Sequence, residues 1–340
     1  MLTNMIYFQC HDDIAKGEHR LKISIITDFY FHTLSDTQLG EIQAAAPGYE
    51  ISQVEQKEVT AADLMDSEIV FGRIPPHLLI ELKNLKWLHL GSAGANGMTD
   101  ISLYANKSVI LTKSSGTFGI VVADYIIGAM ISLSRSFGYY YDKQRNGEWC
   151  PKLPEFFDIS GSTVLLVGLG SIGTEVSRRL SAFGCHIIGF RHDVSKPHEI
   201  VSDIRPLSRL RESLPEADYV ILCAPGTAET NKRISHVEFD LMKKRAIVIN
   251  VGRGMIIDTD ALNDALRKQK IAGAGLDVTE PEPLPEGHPL WSAPNVFITP
   301  HVSALTQVTS ERRLAIFVDL LKRYLTGQEM YNFVDFNAGY

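Results

Sequence analysis

Residues 163–173, T-V-L-L-V-G-L-G-S-I-G, constrain the fold of this chain more than any other stretch. A short apolar run breaks into three glycines spaced G-x-G-x-x-G, and a helical pattern follows over 174–183. Strand, glycine turn and helix in that order form the first half of a βαβ unit. Gly168 permits the tight turn, Gly170 lets the backbone approach a pyrophosphate, and Gly173 lets the helix pack closely on its strand. The helix N-terminus then presents N–H groups and the positive end of its dipole to the phosphate. Glycine-rich turns of this kind also serve methyltransferases and plain α/β packing, so the dinucleotide reading draws on the rest of the chain.

At 340 residues the chain is long enough for two domains, each with its own core. A hydrophobic fraction of 45% and a mean hydropathy of −0.01 predict a soluble globular protein. The net charge of −7 argues against nucleic acid or an anionic membrane as a partner, since both need a basic footprint. Cys10, Cys150, Cys185 and Cys223 lie far apart and show no C-x-x-C or Cys/His ligand spacing. They predict no metal site and read as buried thiols in a reducing, cytoplasmic compartment. No apolar run reaches the roughly 18 residues of a membrane helix, and the longest candidate, 120–133, is interrupted by Asp124. The first residues lack a cationic region and an extended apolar core, so residues 1–20 are expected to form a solvated extension rather than a secretory signal.

Two α/β segments follow. The first predicts strands at 21–27, 68–72, 85–91 and 109–112, with a helix near 36–46. A long helical stretch, 118–145, broken by Gly147, leads into the glycine turn. Beyond it, strands are expected at 186–190, 219–225, 246–252, 272–278 and 295–301, which with 163–167 makes six parallel candidates. The last helix, 307–327, would return to the first segment. The expected fold is α/β with two doubly wound parallel-sheet domains. A flavodoxin-like substrate domain, 1–117 plus 305–340, would wrap around a continuous Rossmann dinucleotide-binding domain, 118–304.

Four ordered motifs carry a family resemblance: V-G-L-G-S-I-G at 167–173, N-V-G-R-G at 250–254, G-L-D-V-T-E-P-E-P at 275–283 and I-T-P-H at 298–301. The chain from about residue 21 onward resembles the D-isomer-specific 2-hydroxyacid dehydrogenases. P-L-W-S-A-P-N-V-F-I-T-P-H-V-S-A-L-T and the terminal Gly339-Tyr340 are most similar to the glyoxylate/hydroxypyruvate reductase A branch. That resemblance implies reduction of a small 2-keto acid by a nicotinamide dinucleotide.

Such a reduction needs a hydride donor, a cation for the carboxylate and an acid for the developing alkoxide. Arg253 can fork onto the carboxylate and polarise the ketone, a geometry that lysine lacks. His301 would donate the proton, and Glu282 would stabilise its imidazolium. The resemblance places the family's catalytic arginine, glutamate and histidine at these three positions. A surface ion pair and a packed histidine are the alternatives, and they weaken when all three residues occur in order. Related formate dehydrogenases, which move no proton, have glutamine where this chain has Glu282, so the glutamate favours ketone reduction.

Cofactor choice rests on the end of the second strand. NAD sites place an acid about twenty residues after the glycine turn, and this chain has Phe190-Arg191-His192 there. Arg191 would attract a 2′-phosphate, which predicts NADP as the preferred cofactor, with Asp193 keeping NAD open. The resemblance further implies that Ser171, Ile172, His192, Ala224, Pro225, Thr230 and Val251 line the dinucleotide, and that Asp277 accepts from the nicotinamide carboxamide, with a strand-end turn residue as the alternative for Asp277. It also implies that the loop with Ala93 and Gly94 holds the substrate carboxylate, here with Asn96 in place of the family's aspartate. Arg73 lies where phosphoglycerate dehydrogenases carry phosphate-binding arginines, and a surface role accounts for it equally well. Fewer than forty residues follow His301, which favours a small substrate over a phosphoglycerate enzyme with a regulatory domain. D-lactate and 3-phosphoglycerate specificities, and a non-catalytic corepressor-like use of the fold, are the alternatives. The apolar stretch 118–133 is broad enough to bury one face internally and another against a partner. The resemblance implies a homodimer there, although internal burial accounts for the composition nearly as well.

Overall fold

The computed structural model describes residues 21–29, 31–151 and 156–336. The expectations for residues 1–20, for Cys10 and for Gly339-Tyr340 lie outside the described residues. Contacts divide the chain into two compact units, one of residues 1–117 with 306–340 and one of residues 118–305.

The first unit is built on five parallel strands: β1 (Lys22–Thr27), β2 (Glu50–Glu55), β3 (Ser67–Phe71), β4 (Trp87–Leu90) and β5 (Ile110–Lys113). Their order, β2-β1-β3-β4-β5, is the flavodoxin-like one. Helix α1 (Asp36–Ala45) starts on a Ser35/Gln38 capping box. One sheet face buries Ile23, Ile25, Phe71 and Trp87 with Leu314, Phe317, Leu320 and Leu321, which belong to the 20-residue C-terminal helix (Gln307–Thr326). Each such aliphatic or aromatic side chain contributes about 1.5–3 kcal/mol by leaving water. Strand β2, E-I-S-Q-V-E, is absent from the sequence reading because it is a polar edge strand with no fully buried residue. His89 is wholly buried, its ring nitrogens bonded to Thr112 Oγ1 (2.8 Å) and Ser114 Oγ (3.0 Å).

Burial pushes His89 down to about 3, from 6.5. Below pH 6.5 the unfolded chain therefore takes up a proton that the native chain refuses, and stability falls as the pH drops toward 3. At pH 5 this amounts to about 2 kcal/mol. The drop in urea midpoint between pH 7 and pH 5 is expected to be smaller in His89→Gln than in the parent; equal drops would contradict this account.

The second unit carries seven parallel strands: β6 (Thr163–Val167), β7 (His186–Phe190), β8 (Asp203–Arg205), β9 (Tyr219–Leu222), β10 (Ile247–Asn250), β11 (Gly273–Leu276) and β12 (Val296–Ile298). The order is β12-β11-β10-β9-β6-β7-β8. It reverses direction at β6/β9, the crevice where doubly wound sheets bind nucleotides. Six of these strands are the expected ones. The seventh, β8, is three half-buried residues, D-I-R, with no apolar run to announce it.

The single helix expected over 118–145 is two, α2 (Gly119–Ser134) and α3 (Phe137–Arg145), bent by 68°. The Phe157 N–H donates to the Ser134 carbonyl at 3.2 Å, taking the acceptor that the next helical turn would need. Ser136 then turns left-handed at φ 53. Among the described residues no single helix is long and apolar enough to cross a membrane. Helix α4 (Ser171–Ala182) buries Gly173, Val176, Ser177 and Leu180, spaced to face one side.

Candidate active site

The glycine turn is held by its own backbone. Gly168 sits at φ 106, and a Cβ there would lie 2.9 Å from the Ala224 nitrogen. A Cβ on Gly173 would lie 2.1 Å from the Gly168 carbonyl oxygen. Both positions exclude a side chain because protein already occupies the space. Gly170, in contrast, has nothing within 4 Å of where its Cβ would be, a cradle open at the start of α4. Ser171 is exposed and Ile172 half-buried in the first turn of that helix. Ala224 is 8% exposed and Pro225 is exposed; Thr230 Oγ1 braces this loop by donating to the Pro225 carbonyl at 2.8 Å. Val251 N bonds Leu222 O at 3.0 Å, and a Cβ on Gly252 would lie 2.5 Å from Ala224 O, so the β9 and β10 ends meet.

At the end of β7, Arg191 holds its Nε and one Nη nitrogen buried with no hydrogen-bond partner among the described residues. A buried, unsatisfied donor on a cation costs about 1–3 kcal/mol or more. An anion would remove that cost, so this orphaned guanidinium and the open cradle at Gly170 fit a dinucleotide with phosphate on its ribose. Asp193, which kept NAD open in the sequence reading, uses its Oδ1 on Ser195 N and Oγ within its own turn. His192 is exposed. His198, absent from the sequence reading, stands nearby: its Nδ1 accepts from Ile200 N and Val201 N, and its Nε2 lies 3.1 Å from Thr174 Oγ1 in α4. Because Nδ1 accepts, Nε2 carries the proton and donates to the threonine. Burial and the Arg191 charge hold this histidine below its ordinary value. No periodicity or motif marks it; only the threonine across space does.

Arg253, Glu282 and His301 follow β10, β11 and β12, three neighbouring strands, at one end of the sheet. Neighbouring strands lie ~4.8 Å apart, so the topology gathers the three at one rim. His301 Nδ1 and Glu282 Oε1 are 2.7 Å apart, both side chains partly exposed. With Nδ1 on the carboxylate, Nε2 is the ring nitrogen directed away from Glu282. The Asn250 amide holds the Arg253 turn, accepting from Gly252 N at 3.1 Å and donating to Arg253 O at 2.9 Å. A Cβ on Gly254 would lie 1.9 Å from Thr279 O, so the arginine turn rests directly on the loop that leads to Glu282.

His301 adopts φ 56, left-handed for a residue with a side chain, at a cost of about 1–3 kcal/mol. Asp277, expected to meet the cofactor, is 1% exposed and accepts four hydrogen bonds from its own unit. Oδ1 accepts from Thr299 Oγ1 (2.6 Å), Val302 N (2.8 Å) and Ser303 N (3.1 Å), and Oδ2 accepts from Ser303 N (3.0 Å). These bonds hold the histidine's turn.

Arg73, Ala93 and Gly94 belong to the other unit. Arg73 follows β3 and donates through an Nη to the Asn96 carbonyl, while Gln56 Nε2 donates to the Arg73 carbonyl at 2.8 Å. Ala93 and Gly94 follow β4, in a loop closed by a Ser92 Oγ bond to Gly94 O at 2.6 Å.

Comparison with known proteins places this geometry in context. The family model described as D-isomer specific 2-hydroxyacid dehydrogenase, NAD binding domain, matches residues 127–303. A glyoxylate/hydroxypyruvate reductase B of Enterobacter is 33% identical over 285 residues, covering 81% of this chain and 85% of that protein. A D-3-phosphoglycerate dehydrogenase of Methanocaldococcus jannaschii is 30% identical over 82% of this chain, which spans only 54% of that longer protein. Among solved structures, an NADPH-dependent glyoxylate/hydroxypyruvate reductase of Sinorhizobium meliloti, in complex with NADP and malonate, aligns with a TM-score of 0.75 and 30% identity. That alignment covers 94% of this chain and 98% of the reductase.

Proposed function

Because the chain belongs to the D-isomer-specific 2-hydroxyacid dehydrogenase family, we propose that it reduces a small 2-keto acid of the glyoxylate/hydroxypyruvate type to the D-2-hydroxy acid, with NADPH preferred. The observation that carries the reading is the His301–Glu282 pair at 2.7 Å, one strand beyond the Arg253 turn.

The residues divide the chemistry among them. Arg253 grips the substrate carboxylate with two N–H groups and draws electron density from the neighbouring ketone. His301 releases the proton on Nε2 to the carbonyl oxygen as that oxygen becomes an alkoxide. Glu282 fixes the imidazole through Nδ1 and offsets its charge before the proton leaves. The Gly168–Gly173 turn and Arg191 hold the dinucleotide's phosphates. When bound, the reduced nicotinamide supplies the hydride.

A panel of glyoxylate, hydroxypyruvate, pyruvate and phosphohydroxypyruvate, each with NADPH and NADH, tests this. Turnover confined to the phosphorylated acid would move the assignment to the phosphoglycerate class, and no turnover with any would end it. Arg191→Ala is expected to lower kcat/KM for NADPH about 10- to 100-fold, since a charge-assisted bond contributes ~1.5–3 kcal/mol. NADH should change little; equal losses with both cofactors would remove Arg191 from the 2′-phosphate.

A cytoplasmic homodimer completes the proposal. Phe137, Tyr141 and Trp149, on and just after α3, are 53%, 58% and 97% exposed and offer aromatic surface to a second copy. Light scattering of the purified protein gives the mass that decides it.

A further inference from the structure

We infer that Tyr125 and Thr299, neither in contact with the reacting groups, act through Asp277 as positioning residues that set the backbone of His301. The inference rests on the proposed reading of His301 as the proton donor. Residues 299–303 wind around a single buried carboxylate. His301 N donates to the Asp277 carbonyl at 2.8 Å, and the next two N–H groups, of Val302 and Ser303, donate to the Asp277 side chain. Thr299 Oγ1 supplies a further donor to Oδ1 at 2.6 Å.

The direction of the remaining bond follows from hydrogen counting. A carboxylate only accepts, so the one hydroxyl proton of Thr299 is spent on Asp277. Tyr125 OH, 2.7 Å from Thr299 Oγ1, must then be the donor. The result is a one-way chain of donation from Tyr125 on α2 through Thr299 to Asp277, where the N–H groups just past His301 donate to the same carboxylate. Burial pushes the Tyr125 phenol up to about 12, so it keeps its proton, and the chain its direction, across the working range of pH. The tyrosine ring also meets Phe297 of β12 edge-on, centroids 6.2 Å apart.

This chain explains how a strained residue persists. Left-handed backbone at a histidine relaxes unless its neighbours over-determine it, and four bonds to one carboxylate do that. The His301–Glu282 contact joins two separate loops, so a small rotation of the turn lengthens it and moves Nε2 off the substrate oxygen. Chains of hydrogen bonds also reinforce one another in a low-dielectric setting, which makes the outer member consequential although it lies two bonds from the carboxylate.

The test compares Thr299→Val, Thr299→Ser and Tyr125→Phe with the parent in two readouts. Amide hydrogen exchange at residues 302 and 303 is expected to quicken about tenfold in Thr299→Val and measurably in Tyr125→Phe, and to stay near the parent in Thr299→Ser. In turnover, Thr299→Val is expected to lose about tenfold in kcat, with KM for the keto acid and the dinucleotide Kd within twofold. Its solvent deuterium effect on kcat should rise as proton delivery becomes limiting, and serine should restore both. Parent-like exchange and kcat in Thr299→Val would overturn the inference, as would a loss in KM alone. If the parent turns over no keto acid, the reading of the function fails, and the exchange data still decide whether the chain holds the turn. Should Thr299→Val not fold, Tyr125→Phe against Thr299→Ser carries the same comparison.

Discussion

His301→Asn is expected to lower kcat for 2-keto acid reduction by about 10²- to 10⁴-fold, the usual range for removing a positioned general acid. Asparagine is the substitution of choice because it tolerates left-handed backbone. The turn at φ 56 and its bonds to Asp277 should therefore survive. An amide near the former Nδ1 can still donate to Glu282, yet it has no proton to release to an alkoxide. The loss should fall on kcat rather than on dinucleotide affinity, because the glycine turn and Arg191 lie on other strands of the same sheet. Stopped-flow single turnovers beside a fluorescence titration of the cofactor separate the two. A variant retaining a third of the parent kcat would mean that another group donates the proton.

The elements visible in the sequence are those whose information is local. The core strands of residues 118–305 show as short runs such as T-V-L-L-V and I-V-I-N because both sheet faces are covered. Strands β2 and β8 did not show: at an edge half the strand's surroundings are water, and E-I-S-Q-V-E and D-I-R carry no apolar run. The break between α2 and α3 was equally hidden, since its cause is a bond from Phe157, more than twenty residues further on.

The site divides along the same line. Arg253, Glu282 and His301 were legible because each sits in a short motif beside a strand end, and the strand order then brings the motifs to one rim. What holds them there was not. Thr299 meets Tyr125 across 174 positions, and His198 meets Thr174 across 24. Asp277 was read as a cofactor acceptor from the family resemblance alone. The N–H groups it accepts from within the chain, 25 and 26 positions away, are visible only in space.

Gly254→Ala should separate the two loops that carry Arg253 and Glu282. Its backbone is not left-handed, so the cost is steric rather than conformational. The added methyl would lie 1.9 Å from Thr279 O, 2.1 Å from Thr279 C and 2.7 Å from Glu280 N. All three are backbone atoms, and no rotamer change clears them. Thr259 Oγ1 also holds the Glu280 carbonyl, at 2.6 Å, so the loop cannot retreat without breaking a second contact. Overpacking of this kind destabilises by about 1–3 kcal/mol, which for a domain of this size lowers Tm by about 2–4 °C per kcal/mol. The catalytic penalty should be larger, because a displacement of ~1 Å between groups that must act together costs about 10²-fold. Thermal melts and kcat measured on the same preparation are expected to show a modest loss of stability beside a 10²-fold loss of turnover. A fall in Tm with kcat intact would show that Arg253 and Glu282 keep their alignment without this contact, and that the two loops are positioned independently.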